Sequence, residues 1–345
     1  MWYIIILQEA SFLVDKHFAD TYLEGTVPKI GMSQPVMIQA DNGKKYFLKT
    51  DIVQNEKQDA VFFQELLCSL LAEHIGIPVP NFAIIEIEKD FIENNPNLRF
   101  GEKFKNGFYF ATEKIADVED NLSENYAMAR QNGMPRIVKA WNSFFKNIDN
   151  SEKISDIIAF DLLTLNFDRF NNEGNILVSK NDIGERKIHA IDHGHCFYGP
   201  FYKKNIIVKH QILEYNNFPI SSVDKRNEFI NWHLNTLSGR KFNLGLIFAG
   251  LEQNIDFDSK NPFAEVIENI EHLDEDAIFA MIDTIPEIWI TGGDVQKNLY
   301  LNFLIRQKDI IRYIIDALVA KDVFSNHRGG VLNWKTQEMS RGIQL

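Results

Sequence analysis

The chain changes its hydrophobic period once, near residues 115–120, and that change restricts the fold more than any single motif. From Trp2 to about Ile115 apolar residues come in short runs separated by turns, at Trp2–Leu7, Pro35–Ala40, Tyr46–Leu48, Phe82–Ile87 and Phe108–Ala111. Beyond Asp117 they recur at helical spacing, over Asn125–Arg130, Ile137–Phe145, Ile154–Leu165, Lys225–Leu237, Phe263–Ile270 and Val295–Ala320. Strand and helix periods differ too much for one to pass as the other. Strands therefore gather toward the N-terminus and helices toward the C-terminus, the segregated order of an α+β protein. A length of 345 residues suits two lobes or one large α/β unit, and the break divides 1–116 from 117–345. The acidic run Asp117–Glu124 at the break reads as a solvated connection.

Local signals sharpen the pattern. Asp41, Asn42 and Gly43 lie between two strand-like runs, and Asn-Gly supplies the positive φ that a tight hairpin turn requires. The segment Asp59–Ile75 carries Phe62, Leu66, Leu70 and Ile75 at near-helical spacing and stops at Gly76, with Pro78 and Pro80 beyond it. Val295–Ala320 sets Leu299, Phe303, Ile310, Ile311 and Ile314 on one stripe, as a long packed helix would. Trp2–Leu7 has no basic residues before it and is far shorter than the roughly 20 residues of a membrane helix, so it reads as a buried first strand without a membrane span.

Charge and cysteine usage exclude some functions. With 36 Lys+Arg against 48 Asp+Glu the formal charge is −12, which opposes broad binding to phosphate backbones or anionic lipid, so nucleic acid is not the expected partner. Cys68 and Cys196 form neither a CxxC pair nor a disulfide framework, which fits a reducing, cytoplasmic setting.

The densest polar constellation in an apolar neighbourhood runs from Asp161 to Cys196. Asp168 and Asn175 flank a loop that feeds a short strand, Ile176–Val178; a second strand, Lys187–Ile191, delivers Asp192, and Gly194 follows. A hairpin turning at Asn181–Glu185 brings Asn175 and Asp192 to one mouth with Asp168 just before them. Phosphoryl transfer from a nucleotide uses such groups: a carboxylate to orient the attacking hydroxyl, here Asp168, and hard oxygen ligands for Mg²⁺, here Asn175 and Asp192. It also uses a cation on the α/β-phosphates, and Lys49 ends the strand Tyr46–Leu48, with Glu65, then Glu73, on the next helix to fix its ammonium.

These residues resemble a known family. Tyr46-Phe-Leu-Lys49-Thr, the helix with Gln64-Glu65 leading into Leu71-Ala-Glu-His-Ile-Gly76-Ile-Pro-Val-Pro80, Asn166-Phe-Asp168-Arg169, Gly-Asn175-Ile-Leu and Ile191-Asp192-His-Gly194 together resemble a HipA-like kinase over roughly residues 26–200, and more distantly the phosphatidylinositol kinases. The resemblance implies a two-lobed protein-kinase-like fold, with a β-rich N-lobe, a helical C-lobe and ATP between them. It implies Asp168 as catalytic base, Asn175 and Asp192 as metal ligands, Lys49 as the phosphate-pairing lysine and Glu65 as its partner. Gly31 and Ser33 then take the place of the phosphate-covering loop. Ala111–Ile115, with Thr112, Glu113 and Ile115, becomes the adenine-binding hinge, and a protein hydroxyl the first choice of acceptor. The loop around Gly31 lacks GxGxxG, and Asn175 follows Asp168 by seven residues where protein kinases space theirs by about five, so Asn172 stays open as a ligand. The small subdomain that precedes the core of HipA toxins is not expected, because the first strands begin at once. The segment after Asp192, through Tyr202, Lys203, Lys204, Lys209 and Tyr215, becomes an activation segment whose basic residues are exposed or meet an acidic group.

Two other classes compete. A kinase-like module that binds nucleotide or a protein without transferring phosphate would share every one of these residues. His189, His193 and His195 around Asp192 invite a metal-dependent hydrolase, but there is no HExxH and no upstream His-x-His. Gly25 to Gly31 is one residue too long for a Walker loop and has Met32 where the lysine belongs, and no GxSxG elbow is present.

Overall fold

The computed structural model describes residues 12–23, 35–100, 104–119, 137–238 and 244–334. Within these run the strands β1 (Lys16–Tyr22), β2 (Val36–Ala40), β3 (Lys45–Leu48), β4 (Ile52–Val53), β5 (Glu56–Lys57), β6 (Phe82–Ile87), β7 (Gly107–Glu113), β8 (Ile176–Lys180) and β9 (Arg186–Ala190). Five of them close into a barrel in the order β1-β2-β3-β7-β6. Only the β1–β6 contact in it is parallel. Alternation builds it: in β3, Tyr46 and Leu48 are buried while Lys45 is exposed and Phe47 half-buried, as a pleated strand with one packed face demands. The β2–β3 hairpin turns through Asn42-Gly43 in register Val36↔Leu48 to Gln39↔Lys45. β1 escapes sequence patterning because KHFADTY has too little apolar alternation, and it is held by pairing with β2 and β6.

The helix Val61–Ile75 is apolar nearly all round, and thirteen of its fifteen residues are buried, which makes it a central element rather than a surface one. It contacts β7 and the helices Ala264–Glu271 and Glu275–Asp283. Gly76 ends it at φ +87°, a left-handed conformation that suits glycine, and donates to Ala72 O at 3.0 Å and Glu73 O at 3.2 Å.

Past residue 137 the structure is helical apart from one hairpin. Lys153–Thr164 is buried on nearly every side and stops at Leu165, itself left-handed at φ +54°. The hairpin β8–β9 pairs Ile176↔Ala190 through Lys180↔Arg186, turning at Asn181–Glu185. It docks on the β-rich part through Ala190 N to Pro78 O at 2.8 Å. The stretch Val295–Ala320 is two helices, Gly293–Gln307 and Ile311–Ala320, not one. The break has a physical reason: Gln307 is fully buried, donating to Leu162 O at 3.3 Å and accepting from Asn216, and the chain turns after it so that Ile310 and Ile311 also reach the core. Trp2–Leu7, Asn125–Arg130 and residues 120–124 of the acidic run lie outside the described residues.

Candidate functional site

Three sequence-distant charges meet beside the barrel. Lys49 follows β3 and continues its ladder by donating to Phe110 O at 2.9 Å. Alternation puts its side chain on the face of Phe47 and of Phe47's cross-strand partner Thr112, away from the barrel-facing Tyr46 and Leu48. There its ammonium lies 3.2 Å from Glu65 Oε1 and 3.2 Å from Asp192 Oδ1. Glu65 Oε2 in turn accepts the backbone N–H of His193 at 3.1 Å. Gly194 keeps this crossing close, since a Cβ there would lie 3.1 Å from Val61 Cγ1 and 3.3 Å from Glu65 Oε1 and would press those side chains aside.

Asp168 stands at the other side of the hairpin mouth. Helix Lys153–Thr164 ends at Leu165 and the chain turns through Asn166 to reach it. Its Oδ2 accepts from Asn175 Nδ2 at 2.8 Å and from Asn172 Nδ2 at 3.4 Å. The two asparagines differ in what remains: Asn172 Oδ1 caps a short 3₁₀ turn by accepting Gly174 N–H at 3.1 Å, whereas Asn175 is not used as a cap. Asn175 O also accepts Ile191 N–H at 3.1 Å, tying the Asp168 loop to the strand end that carries Asp192. Asp192 itself is left-handed at φ +64°, a conformation an aspartate tolerates at a cost of about 1–2 kcal/mol.

Arg169, which sequence reading offered only as a neighbour for Asp168, holds this assembly together. Its guanidinium is fully buried, with Nε 3.0 and 2.8 Å from the two oxygens of Asp161. Nη1 donates to the carbonyls of Asn175 and Ile191, and Nη2 meets His193 Nδ1 at 3.1 Å. One side chain therefore pins the Asp168 loop, the chain just past β9 and the residue after Asp192. Its partner Asp161 lies within the apolar run Ile157–Leu163, which calls for a buried cation without saying which residue supplies it.

The electrostatics follow from burial and crowding. Burial raises the Glu65 carboxyl to about 7 although Lys49 pulls it down. Asp192 also feels burial, but Lys49 and His195 outweigh it and hold its carboxyl well below the usual range. Lys49 is penalised by burial, yet Asp192 and Glu65 keep its ammonium raised. Burial, then Arg169, push His193 well down, so it is neutral. Burial lifts Asp161 to about 6 against the pull of Arg169. Glu65 and Asp192 flank the Lys49 ammonium, and the Asn175 O–Ile191 N–H bond ties that cluster to the Asp168–Asn175 pair, so the hairpin mouth carries hard oxygens of the kind Mg²⁺ takes.

Other sequence candidates lie apart. Glu113 pairs across the sheet with Tyr46, so its side chain faces away from Lys49; it accepts from Lys44 at 2.9 Å and Asn81 at 3.0 Å. With Glu73, Asp15 and Lys44 it borders a cavity of about 480 Å³ that Lys49 does not line. Thus Glu65, not Glu73, meets the lysine. Ile115 sits half-buried just past β7. Gly31 and Ser33 lie outside the described residues. The histidines diverge: His189 bonds Ser179 Oγ at 2.9 Å on β9, and His193 turns its ring onto Phe160. Among the described residues no three His, Cys, Asp or Glu side chains are grouped so as to hold a metal ion. Contrary to the expectation from sequence, Lys209 is neither exposed nor paired with an acid; it is fully buried among neutral acceptors.

A family model described as HipA-like kinase matches residues 27–243, well over half of the chain. Among solved structures, the crystal structure of a Helicobacter pylori proinflammatory kinase, CtkA, is similar with a TM-score of 0.51 at 15% sequence identity, covering 88% of this chain and 99% of that one. At that identity the likeness speaks for the fold. No curated protein matches.

Proposed function

The chain belongs to the HipA-like kinase family, and from that premise we propose that it is an ATP- and Mg²⁺-dependent phosphotransferase whose acceptor is a hydroxyl, on a protein serine or threonine first. One observation carries the reading: Lys49 bridges Glu65 and Asp192 at 3.2 Å each, across a hairpin mouth from the Asp168–Asn175 pair. A two-lobed arrangement is part of the proposal, with the barrel and helix Val61–Ile75 in a lobe ending near residue 116 and the helices beyond forming the other. Cytoplasmic placement is supported by two free cysteines. Among the described residues no helix is long and apolar enough to cross a membrane.

Each residue then has a task. Asp168, held by two asparagine amides, orients the acceptor hydroxyl and takes its proton. Lys49 neutralises the α/β-phosphates while Glu65 keeps its ammonium from collapsing wholly onto Asp192. Asp192 and Asn175 would hold Mg²⁺, which when bound offsets phosphate charge; Asn172, spent as a cap, is the weaker candidate. Thr112 shares the Lys49 face, which supports the 111–115 stretch as the contact for adenine. Glu113 would take part only through its main chain. Gly31 and Ser33 would cover the phosphates.

Thermal unfolding with ATP tests the proposal. A ligand at 100 times its Kd stabilises the native state by about 2.7 kcal/mol. Wild type should gain stability from ATP with Mg²⁺ and much less without it, and Asp192→Asn should lose the Mg²⁺-dependent part. No stabilisation of a folded wild type by any nucleotide would reject the reading.

A further inference from the structure

A buried cation outside this site acts on the same helix. Lys209, on the helix Ile206–Leu213, has no solvent exposure, and its Nζ donates to Gln64 Oε1 at 2.8 Å, Gly199 O at 2.8 Å and Tyr300 Oη at 3.1 Å. Three N–H groups meet three acceptors, so its donor capacity is filled without a carboxylate. Burial pushes the ammonium down to about 7, with Asp59 pulling the other way. Such a lysine is costly, and a Met would fill the same space; its hydrogen bonds are what distinguish it.

Those bonds converge on Gln64, the residue before Glu65. Gln64 Oε1 also accepts from Tyr300 Oη at 2.8 Å, and Gln64 Nε2 donates to Gly194 O at 2.6 Å and Gly199 O at 3.3 Å. Adjacent residues of one helical turn thus grip the segment after Asp192: Glu65 through His193 N–H, Gln64 through the carbonyls of Gly194 and Gly199. Asp59 adds to the grip at the start of that helix, accepting Tyr202 N–H at 2.7 Å and Lys203 N–H at 3.1 Å. The Lys209 helix has little apolar anchorage of its own. Only Lys209, Ile212 and Leu213 of its eight residues are buried, while Ile206, Ile207 and Val208 are 42%, 71% and 46% exposed.

We infer that Lys209 is a positioning residue for the Lys49–Glu65 pair: its ammonium fixes Gln64, and through Gln64 the turn of helix bearing Glu65, against the segment that follows Asp192. The inference rests on the phosphotransferase reading for its kinetic consequence, but not for its structural one. Fully buried and outside the Lys49–Glu65–Asp192 cluster, Lys209 should act on kcat through Glu65 and leave ATP capture largely alone.

Hydrogen exchange and kinetics on the full chain test it together. In the nucleotide-free protein, Lys209→Met should speed exchange of the peptides covering 61–68 and 192–199 at least tenfold while the helix Lys153–Thr164 keeps its wild-type protection. In turnover, Lys209→Met and Gln64→Leu should each lower kcat at least tenfold with KM for ATP changed less than threefold. The double variant should be no slower than the worse single, and Gln64→Glu, which keeps an oxygen for Lys209 and Tyr300, should recover part of the loss. Unchanged exchange in 61–68 and 192–199, or losses that multiply in the double variant, would overturn the inference. Failure of the phosphotransferase reading shows separately, as a wild type that neither binds nor consumes ATP while the exchange effect persists.

Discussion

Replacing Arg169 by methionine should unfold much of what holds the candidate site, by an amount the structure allows to be worked out. Arg169 and Asp161 are both without solvent exposure, and breaking a buried pair by removing one partner costs about 3–5 kcal/mol. Arg169→Met also strips a donor from the carbonyls of Asn175 and Ile191. Asn175 O keeps Ile191 N–H, so the carbonyl of Ile191 is the one exposed to a further loss of about 1 kcal/mol. Against a total stability of about 5–15 kcal/mol this is a large fraction, readable as a shift in the midpoint of urea unfolding. Asp161 is already raised to about 6 by burial, and without its cation it rises further. An acid raised in the folded state gives stability that is lost as pH rises, so the deficit of Arg169→Met should be larger at pH 8 than at pH 5. The double variant Arg169→Met/Asp161→Leu removes both charges and should regain most of the stability, because an apolar replacement of a buried pair is often neutral. Its nucleotide binding should stay below that of wild type, since the Asn175 O–Ile191 N–H bond is then left to tie the Asp168 loop to the strand end before Asp192 without the guanidinium. Arg169→Met within about 1 kcal/mol of wild type, or a double variant that binds nucleotide normally, would refute this reasoning.

Two further expectations concern the site directly. Glu65 has a folded-state pKa raised from 4.5 to about 7, so its contribution to stability is full below pH 4.5 and lost as pH climbs through 7; kcat/KM for ATP, which needs the carboxylate facing Lys49, should rise over the same window, and Glu65→Gln should flatten that limb in a pH series. Asn175→Ala should weaken Mg²⁺-dependent ATP stabilisation more than Asn172→Ala does, as seen by titrating Mg²⁺ in thermal melts, because only Asn172 is used as a cap; the reverse order would move the ligand role to Asn172.

What the sequence made legible was whatever depends on local chemistry. Asn42-Gly43 announces the β2–β3 hairpin, Gly76 with Pro78 announces the end of helix Val61–Ile75, and two short apolar runs around Asn181–Glu185 announce β8–β9. The order Lys49, Glu65, Asp168, Asn175, Asp192 was visible because each residue lies in or beside such an element. Helical periodicity could not separate Gly293–Gln307 from Ile311–Ala320, since the apolar stripe continues across the break and the deciding contact is a buried glutamine with long-range partners. Nor could it foresee Arg169 or Lys209: their surroundings are carbonyls and side chains delivered by other elements, and a buried cation reads in sequence like an exposed one. β1 was missed because its stability comes from two neighbours rather than from its own alternation.

Transfer of the γ-phosphate is the central claim, and its most direct test is ATP consumption by wild type and Asp168→Ala over a panel of hydroxyl acceptors, with nucleotide binding measured on the same samples. Removal of a general base typically costs about 10²–10⁴-fold in rate. The account predicts Mg²⁺-dependent turnover by wild type, reduced at least a hundredfold in Asp168→Ala with ATP binding retained. Equal turnover by both proteins, or nucleotide binding by wild type with no turnover on any acceptor, would contradict it.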